Sequence, residues 1–255
     1  YWDLRNNFLN KRNFTSSTNA SQEFLQLLQD SIKLRMVSDV SLGAFLSGGI
    51  DSSSIVAGMN HYQPSASHQT FSMGFQEETF SELQMAKTVA RHLKVTHKDQ
   101  ILLPKLAENL PQIAFYVDEP FADTSIIPMY YLAQFSRQHV TVCLSGDGAD
   151  EILGGYETYL ADKVCRYTGF LSTAPKNIIQ KLIKIFCPTT FNKVGFDYKV
   201  RKFFEGHSPN LDRAHASWRV IFSESEKKPL LCPEIFSEYF RSDPQDRFLQ
   251  FAREV

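Results

Sequence analysis

Two short segments hold the residue types and spacings best suited to chemistry. The first is Leu46-Ser47-Gly48-Gly49-Ile50-Asp51-Ser52-Ser53. Its glycines let the backbone turn sharply and come close to a ligand. A helix opening there would offer unbonded N–H groups, with its dipole behind them, to an anion. The hydroxyls of Ser47, Ser52 and Ser53 add donors. Such a loop cradles phosphate, but it lacks the lysine of the GxxxxGK(S/T) pattern. Asp51 stands inside it, and a carboxylate beside phosphates is repulsive unless a cation intervenes, so the segment implies Mg2+. The bland alternative is a Ser-Gly-Gly turn with Asp51 serving only the helix dipole.

The second segment is Leu144-Ser145-Gly146-Asp147-Gly148-Ala149-Asp150-Glu151-Ile152-Leu153-Gly154-Gly155-Tyr156. Asp147, Asp150 and Glu151 crowd together, and clustered acids are either solvated or hold a cation. A polar loop leading into an acid-rich first helical turn is the alternative. It does not account for the strand-end position that this segment shares with the first. Asp51 and Asp150 together would hold Mg2+ between themselves and the phosphates of a nucleotide.

The elements that must position these loops follow from periodicity. Phe24, Leu25, Leu28, Ile32 and Met36 recur at helical spacing and predict a helix over 21–36. The apolar run 42–46 predicts a strand that ends at Ser47-Gly48-Gly49, and a helix follows from about Asp51 to His61. Residues 70–75 read as a second strand. Thr79 and Glu82 read as a capping box ahead of a helix through Leu83, Ala86, Val89 and Leu93. Residues 95–102 read as a third strand, 105–116 and 125–137 as helices, and 139–144 as a β-branched strand ending at Ser145-Gly146. Strands alternating with helices predict an α/β fold with a Rossmann-like parallel sheet, helices on both faces. Ligands of such sheets bind outside the carboxyl ends of the strands, so the two Ser-Gly turns face one cleft.

Residues 1–20 are polar and read as a linker or arm, with the α/β domain at 21–160. From 161 to 255 the chain reads as mostly helical, punctuated by Pro175, Pro188, Pro209, Pro229, Pro233 and Pro244. The opening residues suggest a domain before them, and the uncapped helical run 248–255 suggests a truncated C-terminus.

Composition excludes several classes. Of 255 residues, 43% are hydrophobic and 22% charged, which suits a large globular core. The net charge of −1 gives no global attraction to nucleic acid or an anionic membrane. No apolar run approaches a membrane span and no signal pattern opens the chain. Cys143, Cys165, Cys187 and Cys232 lack metal-site spacing and read as reduced thiols of a cytoplasmic protein.

With these residues in view, Ser47-Gly48-Gly49-Ile50-Asp51-Ser52 resembles the PP-loop of ATP pyrophosphatases. Its combination with Ser145-Gly146-Asp147-Gly148-Ala149-Asp150-Glu151 and Gly154-Gly155-Tyr156 resembles the synthetase domain of class B, glutamine-hydrolysing asparagine synthetases and related amidotransferases. Ser38-Asp39-Val40, Thr70-Phe71-Ser72-Met73-Gly74-Phe75, Asp118-Glu119-Pro120-Phe121-Ala122-Asp123 and Tyr1-Trp2-Asp3-Leu4 fit the same pattern. The resemblance covers most of residues 1–160 and implies an adenine nucleotide alpha hydrolase-like fold.

It also implies a reaction. A carboxylate, in first place the aspartate side chain, attacks the α-phosphorus of ATP, and ammonia from a glutaminase domain then displaces AMP to leave an amide. That glutaminase domain would precede this chain. Ser47, Gly48, Gly49, Asp51 and Ser52 would hold the pyrophosphate. Leu46, Met73, Gly74, Ser145 and Gly146 would complete the ATP site, Met73 through its backbone. Asp51 and Asp150 would hold Mg2+. Asp147, where the family often carries glutamate, and Glu151 would stand at the reacting centre. Asp118, Glu119, Asp123 and Thr124 would approach the acceptor, although Asp118 and Asp123 also suit loop and cap roles. Relatives act on sugars or close β-lactam rings, and a nucleotide-binding module without catalysis is a further alternative. The oligomeric state is open, a homodimer included. The family's later lysine, beside an aspartate–arginine pair, has no match before Val255, so this chain alone is expected to bind nucleotide and to form amide poorly.

Overall fold

The computed structural model describes residues 3–64, 68–76, 81–103, 106–119, 121, 123–168, 195–221, 224–235 and 245–254. The chain divides into two compact units, one of Phe14–Leu153 and one joining Tyr1–Asn13 to Gly154–Val255.

The first unit is built on four parallel strands, β1 (Leu42–Phe45), β2 (Gln69–Gly74), β3 (Thr96–Ile101) and β4 (Val142–Leu144), in the order β3-β2-β1-β4. The register pairs Phe45 with Phe71, Met73 with Gln100 and Ala44 with Leu144. The chain lays β1, β2 and β3 outward in one direction and then returns to place β4 on the other side of β1. The order therefore reverses between β1 and β4. That reversal is where ligands of open parallel sheets bind.

Helices α2 (Ser17–Arg35), α3 (Ile50–Tyr62) and α4 (Leu83–Leu93) cover one face of the sheet. Ser16 caps α2 by accepting from Asn19 N–H at 3.2 Å. Ile32, Val56, Met59, Ala86 and Ala90 close over Ala44 and Leu46. Asn60 ties α3 to α4 by donating to the Leu93 carbonyl at 3.0 Å. Helices α5 (Leu106–Val117) and α6 (Ile126–Arg137) form the return crossover to β4. They are joined by Asn109 to Tyr131 at 2.7 Å and by Tyr130 to Gln112 at 2.9 Å. Phe71 meets Phe135 of α6 edge-on, with ring centroids 5.9 Å apart. A right-handed connection demands opposite faces for crossovers that run in opposite directions, as found here. A short helix, α7 (Ala149–Leu153), ends the unit.

The second unit is helical in its described parts: α1 (Leu4–Leu9), α8 (Glu157–Thr168), α9 (Phe196–Gly206), α10 (Leu211–Arg219), α11 (Glu224–Lys227) and α12 (Asp246–Glu254). Its core is Cys165, Ala214 and Trp218, with Phe203 stacked on Trp218 at 5.6 Å. Trp218 donates its indole N–H to the Phe203 carbonyl at 3.1 Å. His215 of α10 lies 2.8 Å from the Asp162 carboxylate of α8.

Three elements differ from the sequence expectation. The polar arm contains α1, capped by Asp3, whose side chain accepts from Arg5 N–H at 3.0 Å; Arg5 also pairs with Glu254 of α12 at 3.0 Å. The strand expected over 139–144 begins only at Val142. The N–H groups of His139 and Val140 both turn back to the Ser136 carbonyl at 2.9 Å, closing α6 instead of joining the sheet. Glu82 is the N-cap of α4 and makes no side-chain cap bond, whereas the capping box placed it one turn inside a helix. Its supposed partner Thr79 lies outside the described residues, as do 169–194 of the region read as helical.

Candidate active site

Leu46 leaves β1 with its side chain in the core, 1% exposed, so only its backbone faces the strand ends. Gly48 follows at φ +87°, a conformation that side chains resist. A Cβ there would stand 2.6 Å from the Ala86 nitrogen and 2.7 Å from the Met85 backbone, so the loop runs hard against the first turn of α4. Gly49 is the N-cap of α3 and provides no side-chain cap. The opening N–H groups of α3, at Ile50, Asp51 and Ser52, therefore have no helical or side-chain acceptor among the described residues.

The serines hold this loop together. Ser52 is buried, and its Oγ accepts from Ser47 N–H at 3.2 Å and donates to the Gly49 carbonyl at 3.3 Å. Ser47 Oγ lies 2.9 Å from Ser52 Oγ and accepts from Gly49 N–H at 3.2 Å. With Ser52 donating to Gly49, the Ser47 proton goes to Ser52. Both hydroxyls thus brace the loop, and the donors left facing outward are backbone N–H groups. Ser53 Oγ, next along α3, is buried without a hydrogen-bond partner among the described residues.

The acidic loop meets this one directly. A Cβ on Gly146 would fall 2.8 Å from Ser52 N, 2.9 Å from the Asp51 carbonyl carbon and 3.1 Å from Asp51 Cβ. The Gly146 backbone thus rests on the first turn of α3 with no room between. Ser145 Oγ donates to the Asp147 carboxylate at 2.9 Å, fixing the turn. Gly148, at φ +91°, has nothing within 4 Å of a Cβ among the described residues. Asp150 is half-buried in the first turn of α7, and Glu151 beside it is exposed.

Among the described residues no three His, Cys, Asp or Glu side chains group as a metal cage. Asp51 and Asp150 stand on the two loops that Gly146 joins. Mg2+ is commonly held by one or two carboxylates with phosphate oxygens completing its shell, which is the arrangement such a site allows.

At the end of β2, Met73 is half-buried, and Gly74 is buried where a Cβ would strike Leu83 at 2.4 Å. The four residues expected at the acceptor lie on the α5–α6 connection and are exposed. Asp118 adopts φ +65°, Asp123 accepts from Ser125 N–H at 2.9 Å, and the Thr124 carbonyl accepts from Ile127 N–H at 3.2 Å. Asp123 thus holds a turn just ahead of α6, whose N-cap, Ser125, makes no side-chain cap bond. Glu119 lines a cavity of about 840 Å³ with Phe45, Tyr116, Phe121, Arg137 and Val140. No hydrogen bond among the described residues links these four to either loop. Sequence reasoning passed over Ser72, a buried serine at a core-facing position of β2, whose hydroxyl donates to the Leu46 carbonyl. A polar residue in the β2 run, level with the end of β1, was the available signal.

The sequence profile described as Asparagine synthase matches residues 23–220. Asparagine synthetase (glutamine-hydrolyzing) 1 of Bacillus subtilis is 44% identical over 139 residues, covering 54% of this chain and 22% of that protein. Asparagine synthetase B (glutamine-hydrolyzing) of Escherichia coli is 30% identical over 150 residues, covering 52% of this chain and 27% of that protein. The matches thus span about a quarter of the length of these relatives. Among solved structures, the NH3-dependent NAD synthetase from Campylobacter jejuni has a TM-score of 0.36 and 14% identity, over 94% of this chain and 96% of that one. No described helix is long and apolar enough to cross a membrane. On the profile match, which covers most of its length, the chain belongs to the asparagine synthase family.

Proposed function

We propose that this chain is the ATP-binding synthetase part of an amide-forming ligase. In that reaction a substrate carboxylate, the aspartate side chain by the names of the relatives, is adenylated by ATP with release of pyrophosphate, and ammonia then displaces AMP to leave the amide. The relatives are named glutamine-hydrolyzing. The ammonia would accordingly come from a glutaminase domain of the whole protein.

The observation that carries this reading is the seating of Gly146 on the first turn of α3. It joins the phosphate-type loop and the acidic loop at the reversal point of the sheet, where α3 leaves its opening N–H groups uncapped. Those groups would bind the departing pyrophosphate, and their fixed orientation stabilises charge without reorganisation. Asp51 and Asp150 would hold Mg2+, which neutralises phosphate charge when bound. Asp147, oriented by Ser145, would face the reacting carboxylate.

The test is a calorimetric titration of the chain with ATP, with and without Mg2+, beside an Asp51→Ala plus Asp150→Ala variant. Binding that needs Mg2+ and weakens by about tenfold or more in the variant is expected. Equal binding by both proteins, with no response to Mg2+, would refute the assignment.

A further inference from the structure

The β1–β2 ladder stops one rung early, where a side-chain hydroxyl meets the next carbonyl. The last paired residues are Phe45 and Phe71. Leu46 N–H still donates to the Phe71 carbonyl at 2.9 Å. In a parallel ladder the next rung would run from Met73 N–H to the Leu46 carbonyl. Among the described residues that bond is not made. The Leu46 carbonyl instead accepts from the hydroxyl of Ser72, which is 4% exposed.

Backbone groups alternate in direction along a strand. Gly74 directs its carbonyl to the β3 side, where it accepts from Leu102 N–H at 2.7 Å. Phe71 directs its carbonyl to β1. Met73 shares the Phe71 direction, so its N–H and C=O both point to the β1 side, beyond the end of the ladder. A donor and an acceptor left side by side on an extended residue match the hydrogen-bonding edge of a nucleobase. They sit at the strand end beside the phosphate-type loop, which starts at Leu46.

We propose that Ser72 is a positioning residue: its hydroxyl occupies the Leu46 carbonyl and so keeps the Met73 backbone edge open to read the base of the nucleotide. The purpose assigned to that edge rests on the nucleotide site proposed above, while the structural part stands without it. A serine present only to satisfy its own hydroxyl would leave Met73 indifferent to its removal. Removal of a ladder terminator lets the missing rung close.

Two measurements on the full chain decide this. The first is amide hydrogen exchange at Met73 in the unliganded wild type, Ser72→Ala and Ser72→Thr. Ser72→Ala frees the Leu46 carbonyl, and Met73 exchange is expected to slow by about tenfold, the worth of one backbone hydrogen bond. Ser72→Thr keeps a hydroxyl at the position and is expected to keep wild-type exchange. Unchanged or faster Met73 exchange in Ser72→Ala overturns the proposal, whatever the protein binds.

The second measurement titrates AMP and pyrophosphate separately, each with Mg2+. Ser72→Ala is expected to weaken AMP by about tenfold, to leave pyrophosphate within about twofold, and to be rescued by Ser72→Thr. Equal weakening of both ligands indicates a general loosening and overturns the base-reading role. A wild type that binds neither ligand overturns the nucleotide site and that role together, and the exchange experiment still decides whether Ser72 ends the ladder.

Discussion

At the scale of single residues, the two glycines of the acidic loop have opposite sensitivities. Gly146 has no space for a Cβ, since one would lie within 2.9 Å of the Asp51 and Ser52 backbone. Gly148 has a left-handed φ but, among the described residues, nothing near a Cβ. Gly146→Ala is therefore expected to cost about 1–3 kcal/mol, as overpacking does, and to abolish ATP binding because one loop must move off the other. Gly148→Asn is expected to cost less than about 1 kcal/mol and to keep binding, since asparagine tolerates that backbone region. Thermal unfolding and ATP titration of both variants give the check. A Gly146→Ala protein with wild-type binding would separate the two loops functionally.

Elements explain what could be seen in advance. The strand-loop-helix order around Ser47-Gly48-Gly49 and the strand ahead of Ser145-Gly146 were legible, because long β-branched or apolar runs beside Gly-Ser breaks leave few choices. The N-terminal part of the fourth strand was misread. Val140 and Thr141 have strand composition, but the Ser136 carbonyl captures the Val140 N–H before the sheet can. Helix α1 was missed because its stability lies in one cap and one distant ion pair, Asp3 with Arg5 and Arg5 with Glu254. The seating of Gly146 on α3 and the Ser72 bond are tertiary contacts that no local pattern records.

The strand β3 also carries a titrating group. Burial pushes the His97 imidazole below its ordinary pKa, with Asp99 opposing that shift and Lys87 adding to it. Thr70 donates its hydroxyl proton to the Thr96 carbonyl at 3.1 Å, so it accepts from His97 Nδ1–H at 3.0 Å. Nε2 is then the unprotonated nitrogen, buried without a partner among the described residues. Protonation puts an N–H there with no acceptor among the described residues to receive it. The folded pKa is depressed, so the unfolded chain takes up the proton first. Stability is full above the unfolded value of about 6.5 and falls as pH drops through the folded value. His97→Gln is expected to flatten that loss as pH falls below about 6.5, read by denaturant unfolding.

For the whole molecule, the two units have unequal cores. Phe14–Leu153 closes Ile32, Leu46, Val56, Met59, Ala86 and Ala90 over the sheet. The other unit relies on Cys165, Ala214 and Trp218. Hydrogen exchange is expected to be slowest in β1, β2 and α3. Trp218→Ala removes the largest side chain of the smaller core and is expected to cost about 3–5 kcal/mol there. It should accelerate exchange in α8, α9 and α10 while the sheet amides keep their rates. Uniform acceleration in both units would show that they unfold as one.

The seating of Gly146 on α3 joins segments from opposite ends of the sheet-bearing unit. In kinetic terms it is a late contact, because its loop can close only after the α5–α6 crossover has been laid down and β4 has docked. A molecule that is still folding has no such place to offer. A ligand that contacts both loops would therefore bind only what folding has finished, and would lengthen the lifetime of the native molecule without hastening its formation.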